Sequence, residues 1–423
     1  MKRILSTLFL MISLSVPCIA QILDLDADVR SRFEYRHGYG TLFPDGAKPA
    51  AFVTQRSRLN TGYFSDNLRV MLSIQDVSTW GDTRQLDPSD TNHSLSLFQA
   101  WAEIGLLEKF SVKLGRQVIS YDNQRIFGEV DWAMQGRFHD ALLLKYKNDS
   151  FSMDAGLAFS QEEESLFGSR YDITGFYTYK TMQYLYARKT FQNLQLSFLF
   201  LNNGFQKYED EEKSVADGVY NRQTTGFYFR YPLRKWKFSG SFYYQFGEAS
   251  REIDLSAYQF SLNGEYTMTT GTLGAGIEVL SGTDMQGTGD SHSFFPLYGT
   301  NHKFNGFMDY FYVGNHADNV GLNDIYVKYL FKFPASTLLL KGHYFTSNAD
   351  LSPGESQYLG TEFDLVFGKE ILKNVFLNLG YSQMFPSDSM GTVKGEISSD
   401  NTNNWAWVQL KITPKLLRFT LNK

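Results

Sequence analysis

Every second residue from Asp24 to Arg36 is ionisable: Asp24, Asp26, Asp28, Arg30, Arg32, Glu34 and Arg36. Leu25, Ala27, Val29, Phe33 and Tyr35 fall between them. A period of two describes a β-strand whose side chains point alternately to opposite faces. Seven ionisable groups on one face exclude a dry core there, because an unpaired buried charge costs several kcal/mol. That face needs water, or its charges need one another. The other face needs lipid or an apolar partner.

The same period recurs along the chain. In Phe110–Lys147, two alternating runs flank a long loop that carries Arg125, Glu129, Asp131, Trp132 and Arg137. About 18 such runs can be placed between Asp24 and Thr413, with residues 415–423 beyond the last one and Trp405 and Trp407 as its aromatic signal. Short connections, near Asn67, Glu108, Asp149 and Asn193, alternate with long ones, near 37–50, 81–93, 121–136 and 282–320. After residue 20, no apolar run approaches the ~20 residues of a membrane helix. Aromatic residues make up 16%, yet mean hydropathy is −0.31. No internal repeat suggests a propeller or solenoid. The expected fold is all-β: a transmembrane antiparallel β-barrel of about 18 strands, with short periplasmic turns and long extracellular loops. A lumen of that size admits water unless loops fill it.

The start reads as a signal peptide spanning 1–20. Lys2 and Arg3 precede an apolar run, Ile4–Val16, and Cys18-Ile19-Ala20 puts small residues before a cut at Gln21. Residues 21–423 then form one barrel domain without cysteine, exported and free of disulfides. Removing Lys2 and Arg3 leaves 40 − 2 = 38 basic against 45 acidic residues, a net −7. That balance argues against nucleic acid as a partner.

The inward faces of the first six strands are basic. Arg30, Arg32, Arg56, Arg58, Arg69, Lys113, Arg137, Lys145 and Lys147 belong to this set, with Arg125 from the loop. Arg116 joins it only if a bulge at Gly115 turns it inward, because Leu114 faces out. Arginine binds carboxylates bidentately and keeps its charge, so such a cluster can pass anions along a pore. The same residues can equally pair with nearby acids and hold strands in register. Later strands face inward with Glu265, Glu278, Glu362 and Asp364, opposed by Lys328, Lys341 and His343. Asp24, Asp26 and Asp28, Glu162–Glu164 and Glu209–Glu212 are oxygen-rich, but lack a calcium-loop pattern, so no metal or cofactor is expected. His139, Asp140 and His343 carry no spacing that marks a catalytic set, and no enzyme is expected. The loop from Ser281 to Gly321 is dense in rings, including His292, Phe294, Phe295, Tyr298, Phe311 and Tyr312. Exposed rings at that density invite aggregation, so the loop should fold back on the barrel, as a pore gate or as a pad on the rim.

The ordered set RSRL (Arg56–Leu59), SIQDVSTWGD (Ser73–Asp82), LFQAWAEI (Leu97–Ile104), LGRQ (Leu114–Gln117), QRIFGEVDWAMQGRFHDAL (Gln124–Leu142) and HKFNGFMDYF (His302–Phe311) resembles the alginate-export outer-membrane porins. The resemblance implies an 18-stranded barrel in the Gram-negative outer membrane, with an arginine-rich, anion-attracting lumen. It implies Arg56, Arg58, Arg69, Arg116, Arg125 and Arg137 as pathway residues, and a monomer folded by the barrel-assembly machinery. The expected activity is passive permeation of anionic solutes, alginate-like polysaccharide or sugar acids, between bilayer faces. His302, Phe304, Phe307, Asp309 and Tyr310 are the expected gating residues. Three alternatives stay open: a general diffusion porin without anion preference, a barrel enzyme, and a plugged structural barrel.

Overall fold

Alternating side chains become alternating environments in the computed structural model, which describes residues 21–86, 95–171, 178–209, 215–250, 252–311, 315–316, 319–395 and 397–421. The expected signal peptide, part of the long connection near 81–93, Tyr312 and part of the acidic run Glu209–Glu212 lie outside the described residues. The strands are β1 (Gln21–His37), β2 (Ala50–Phe64), β3 (Leu68–Thr79), β4 (Ser96–Leu107), β5 (Phe110–Gln117) and β6 (His139–Lys147). They continue as β7 (Phe151–Phe159), β8 (Thr181–Phe191), β9 (Leu194–Tyr208), β10 (Ala216–Leu233), β11 (Trp236–Ser250) and β12 (Ile253–Thr267). The last are β13 (Gly271–Leu280), β14 (Leu322–Lys332), β15 (Ser336–Thr346), β16 (Tyr358–Leu372), β17 (Val375–Pro386) and β18, in two runs, Asn403–Ile412 and Lys415–Leu421.

Each strand pairs antiparallel with the next, and β18 returns to β1, closing an 18-strand barrel. Closure satisfies every ladder without leaving an open sheet edge in lipid. The break in β18 falls at Thr413-Pro414. Proline has no N–H for the ladder, and the β1 register shifts there between Leu25 and Asp26. Beyond the break Leu23 pairs with Phe419 and Asp24 with Arg418. Residues 415–421 are therefore barrel wall, where the sequence reading put them outside it. Pro414 masks the strand in the sequence, and β1 restores it.

Outward residues such as Leu144 and Leu157, each 53% exposed, form the apolar lipid-facing surface. No helix among the described residues is long and apolar enough to cross a membrane. The packed core lies inside the barrel. Phe294, Phe295, Leu297, Tyr298, Met308 and Tyr310, from the long loop between β13 and β14, are at most 5% exposed. They pack with inward residues of β8, β9 and β15, including Met182, Leu201 and Phe345. The loop is thus neither a rim pad nor free in the lumen; it fills one side of the pore.

Candidate functional site

The β5–β6 loop locks onto the β13–β14 loop. Gly128 N donates to Tyr298 O and Thr300 N to Gln124 O, both at 2.9 Å. Phe127 stacks with Tyr298, whose hydroxyl accepts from Asn203 Nδ2 at 2.7 Å. Arg125 sits in this interlock, 2% exposed, with Nε 2.8 Å from Glu278 and Nη2 3.0 Å from Asn305 Oδ1. Arg137 donates to Leu297 O at 3.4 Å. Both arginines fasten loop to loop.

The next five residues, Asp131–Gln135, cross the lumen beside β1–β3. Their carbonyls accept from the wall: Asp131 O from Arg30 Nη1 at 2.5 Å, Trp132 O from Arg32 Nη1 at 2.9 Å, Met134 O from Arg56 Nη1 at 3.4 Å, and Gln135 O from Gln75 Nε2 at 2.9 Å. A loop inside a barrel has no ladder of its own, so the wall must supply its donors. The inward arginines meet that need.

Register explains the rest. Lys411 on β18 pairs with Arg30 on β1, which pairs with Arg56 on β2. Three cations therefore lie in one inward row, and directly opposed like charges destabilise a sheet. Asp131 offsets them. Arg30 Nη2 is 2.9 and 3.1 Å from its two oxygens, Arg56 Nη2 is 3.0 Å away, and Lys411 Nζ is 3.6 Å away. Asp28 takes Arg56 Nη2 at 2.5 Å from the other side. Burial pushes the Asp131 carboxyl up, but Arg30, Arg56 and Lys411 outweigh it and hold it at about 2.

Two cavities flank this segment. The outer one, about 350 Å³, is lined by Arg32, Arg36, Glu34, Trp132, His302 and Asp309, among others. The Arg32 guanidinium lies 3.8 Å from the centre of the Trp132 ring, and His302 stacks on the same ring at 4.3 Å. Glu34 accepts from Arg32, Arg36 and the Trp405 indole at 2.8, 2.8 and 3.1 Å. Asp309 receives the Tyr39 hydroxyl and lies 2.9 Å from His302 Nδ1. The inner cavity, about 280 Å³, is lined by Asp26, Arg58, Phe98, Glu129 and Asp131. There Arg58 sits 3.6 Å over Phe98 and donates to Gln75 Oε1.

Towards the short-turn end, Glu103 gathers three more expected residues. It pairs in register with Arg69 and with Lys113, and lies 3.5 Å from Lys145. Arg116 is elsewhere. Its register with Ala100 and Asp140 is unbroken, no bulge forms, and it stays on the outer face with Leu114. Its guanidinium binds Asp140 at 2.9 Å through both Nε and Nη2. The expectation of an inward Arg116 is corrected by parity. His139 points inward, buried against Tyr179, while Asp140 points out, so the two form no joint site. His343 belongs to a buried pairing with Asp324 at 2.7 Å and Asp364 at 3.6 Å. Of the expected gating residues, His302, Phe304 and Phe307 are half-buried and Asp309 and Tyr310 are buried.

The sequence reading missed Asp131, Gln75, Glu103 and Lys411 as site residues. Arg30 and Arg56 on one inward face demand carboxylates, and the sequence offers Asp28 nearby; the second, Asp131, comes from a loop that only the fold brings there.

The alginate-export family model matches residues 21–404. The chain belongs to the alginate-export family. No curated protein matches it. Among solved structures, OpdK, an outer-membrane protein of Pseudomonas aeruginosa, aligns with TM-score 0.61 at 12% identity, covering 95% of this chain and 99% of that one. OccAB4 of Acinetobacter baumannii gives 0.61 at 12%, covering 94% and 98%. OccK2 (OpdF) of Pseudomonas aeruginosa, solved with glucuronate, gives 0.60 at 15%, covering 93% and 98%. At these identities the likeness shows the barrel fold. Family and fold together make this member of the alginate-export family an outer-membrane channel of Gram-negative type.

Proposed function

We propose that this channel passes carboxylated saccharides, sugar acids or acidic oligosaccharides, by passive permeation between Asp131–Gln135 and the wall of β1–β3. One observation carries this reading: Lys411, Arg30 and Arg56 form an inward row of three cations between two polar cavities. Whole-lumen charge does not carry it, because the inner cavity holds Asp26, Glu129 and Asp131 against Arg58. Anion preference resides at the narrow row, where field and desolvation act on a passing solute most strongly. In the outer cavity Arg36, its side chain 35% exposed, offers a sugar carboxylate a charge on the way to the row. Family membership and a structural neighbour solved with glucuronate support the same class of solute.

The mobile part of the gate is the Asp131–Gln135 segment. Phe294, Phe295, Tyr298, Tyr310 and Phe311 hold the β13–β14 loop with five buried rings. At roughly 2 kcal/mol apiece, lifting them costs about 10 kcal/mol, well above the ~5.5 kcal/mol that reverses a 99:1 population. The segment is held by fewer apolar side chains, Trp132 against His302, Trp405 and Trp407 and the buried Met134, so shifting it costs about 4 kcal/mol on the same scale. His302 and Asp309 act from the fixed loop as the outer wall of the path.

Reversal potential across a planar bilayer under a KCl gradient tests the reading. Anion preference that falls when Arg30 and Arg56 are replaced by glutamine is the expected result. Cation preference or none in the unaltered protein leaves a general porin.

A further inference from the structure

We propose that Asp131 is a built-in competitor for the cargo: it fills a carboxylate receptor made by Arg30, Arg56 and Lys411, and a solute carboxylate crosses by taking its place. This rests on the reading that carboxylated solutes are the cargo.

The contacts are those of a bound carboxylate. Arg30 grips both oxygens, Arg56 grips one, and Lys411 stands behind. Bidentate arginine contacts of this kind recognise any carboxylate, whether it comes from the chain or from a solute. Exposure gives the direction of exchange. The side chains of Arg30 and Arg56 are 3% and 0% exposed, while that of Asp131 is 44% exposed. The receptor is hidden by its occupant, and the occupant faces the inner cavity that it lines. Asp131 also leaves the receptor incompletely satisfied: among the described residues Arg30 Nε and Arg56 Nε are buried without a hydrogen-bond partner.

Charge makes the exchange selective. With Asp131 in place, three cations face Asp28 and Asp131. With Asp131 swung away, Asp28 alone remains for them. Unpaired buried charge is costly, so the empty state is disfavoured until another anion arrives. A neutral sugar cannot supply that anion. Beside two apolar anchors, Trp132 and the buried Met134, the segment is held by Arg30, Arg32, Arg56 and Gln75 on four carbonyls, and these donors can turn to a solute's oxygens.

The test uses the full-length protein in planar bilayers, with glucuronate as probe and glucose as control. Asp131→Asn keeps the shape and removes the charge. It should deepen anion preference and let glucuronate half-block chloride current at a concentration about ten-fold lower than in the parent. Asp131→Glu should restore the parent behaviour. A double variant, Arg30→Gln with Asp131→Asn, should lose the tight block. Glucose flux should change in none of them. Parent-like block in Asp131→Asn, or a tight block that survives in the double variant, overturns the proposal. A glucose flux that rises with glucuronate flux also overturns it, since Asp131 is then only a steric latch. If Asp131→Asn does not insert, Lys411→Gln, which weakens the receptor from its edge, should raise the half-blocking concentration; an unchanged value overturns the proposal. The parent's own reversal potential judges the cargo reading separately.

Discussion

Arg30 and Arg56 stand opposite one another on the inward face of β1 and β2, and both end on the carboxylate of Asp131. Neither guanidinium reaches water to any extent. Two buried like charges in register are offset by Asp28 on one side and, on the other, by a loop residue some hundred positions along the chain.

Replacing Arg56 by alanine should therefore harm the fold as well as the path. It leaves Asp28 with only the 3.5 Å contact to Arg30, unloads one side of Asp131 and frees the Met134 carbonyl. A loss of about 3 kcal/mol is expected, measured by urea unfolding in lipid vesicles. Arg56→Lys should recover part of the stability, since a point charge replaces the fork. Full stability in Arg56→Ala would refute the role given to the pair.

Tyr298→Ala tests the interlock of the two loops. The ring is 1% exposed, stacks on Phe127, meets His139 and Tyr179 edge-on, and its hydroxyl holds Asn203. Its removal should cost about 3 kcal/mol and give a noisier channel with raised glucose leak in liposome swelling. Quiet parent-like current would mean the loop is not fixed by these rings.

Asp131 sets the acid limit of the closed path. Its folded pKa, about 2, lies below the ordinary 3.8. A depressed carboxyl contributes stability that is present above its unfolded pKa and is lost as pH falls through the folded value. Ion preference and open-channel noise should hold from pH 7 to about pH 4 and change only below about pH 3. A transition near pH 5 to 6 in single-channel records would assign the control to another group.

Glu103→Gln should raise anion preference without affecting the Asp131 segment. The carboxylate counters Arg69, Lys113 and Lys145 near the short-turn end, and Ser111 donates to it at 2.7 Å. Reversal potential should move towards the anion limit. A move towards cations would show that Glu103 organises those cations rather than masking them.

Arg116→Ala is the contrasting case. On the outer face its pair with Asp140 is half-exposed, and such pairs contribute about 1 kcal/mol or less. Ion preference should remain that of the parent protein. A changed preference would mean that Arg116 reaches the lumen after all.

The wall was legible in the sequence because lipid on one side and polar groups on the other enforce a period of two. Phe110, Val112 and Leu114 against Ser111, Lys113 and Gly115 suffice to orient β5. The same parity places Arg116 outside, and only a bulge that does not form would have turned it. Loop contacts were not legible, since nothing periodic ties Asp131 to Arg30 or Tyr298 to Asn203. The end of β18 was hidden by Pro414, which interrupts the ladder for two residues without ending the strand. Glu103 was missed because its partners come from three strands and emerge only from the register.

Lys411, Arg30 and Arg56 lie on the last, first and second strands, so the join between the two ends of the barrel runs through the row that Asp131 bridges. Sealing the cylinder and completing this row of cations are consequently one event. A barrel still unzipped between β1 and β18 would lack Lys411 beside Arg30, and Asp131 would keep Arg30 and Arg56 but lose the third cation of its seat. Such an intermediate would carry an incomplete row, and any force that parts this join in the finished molecule takes a charge from the row before it destroys the wall.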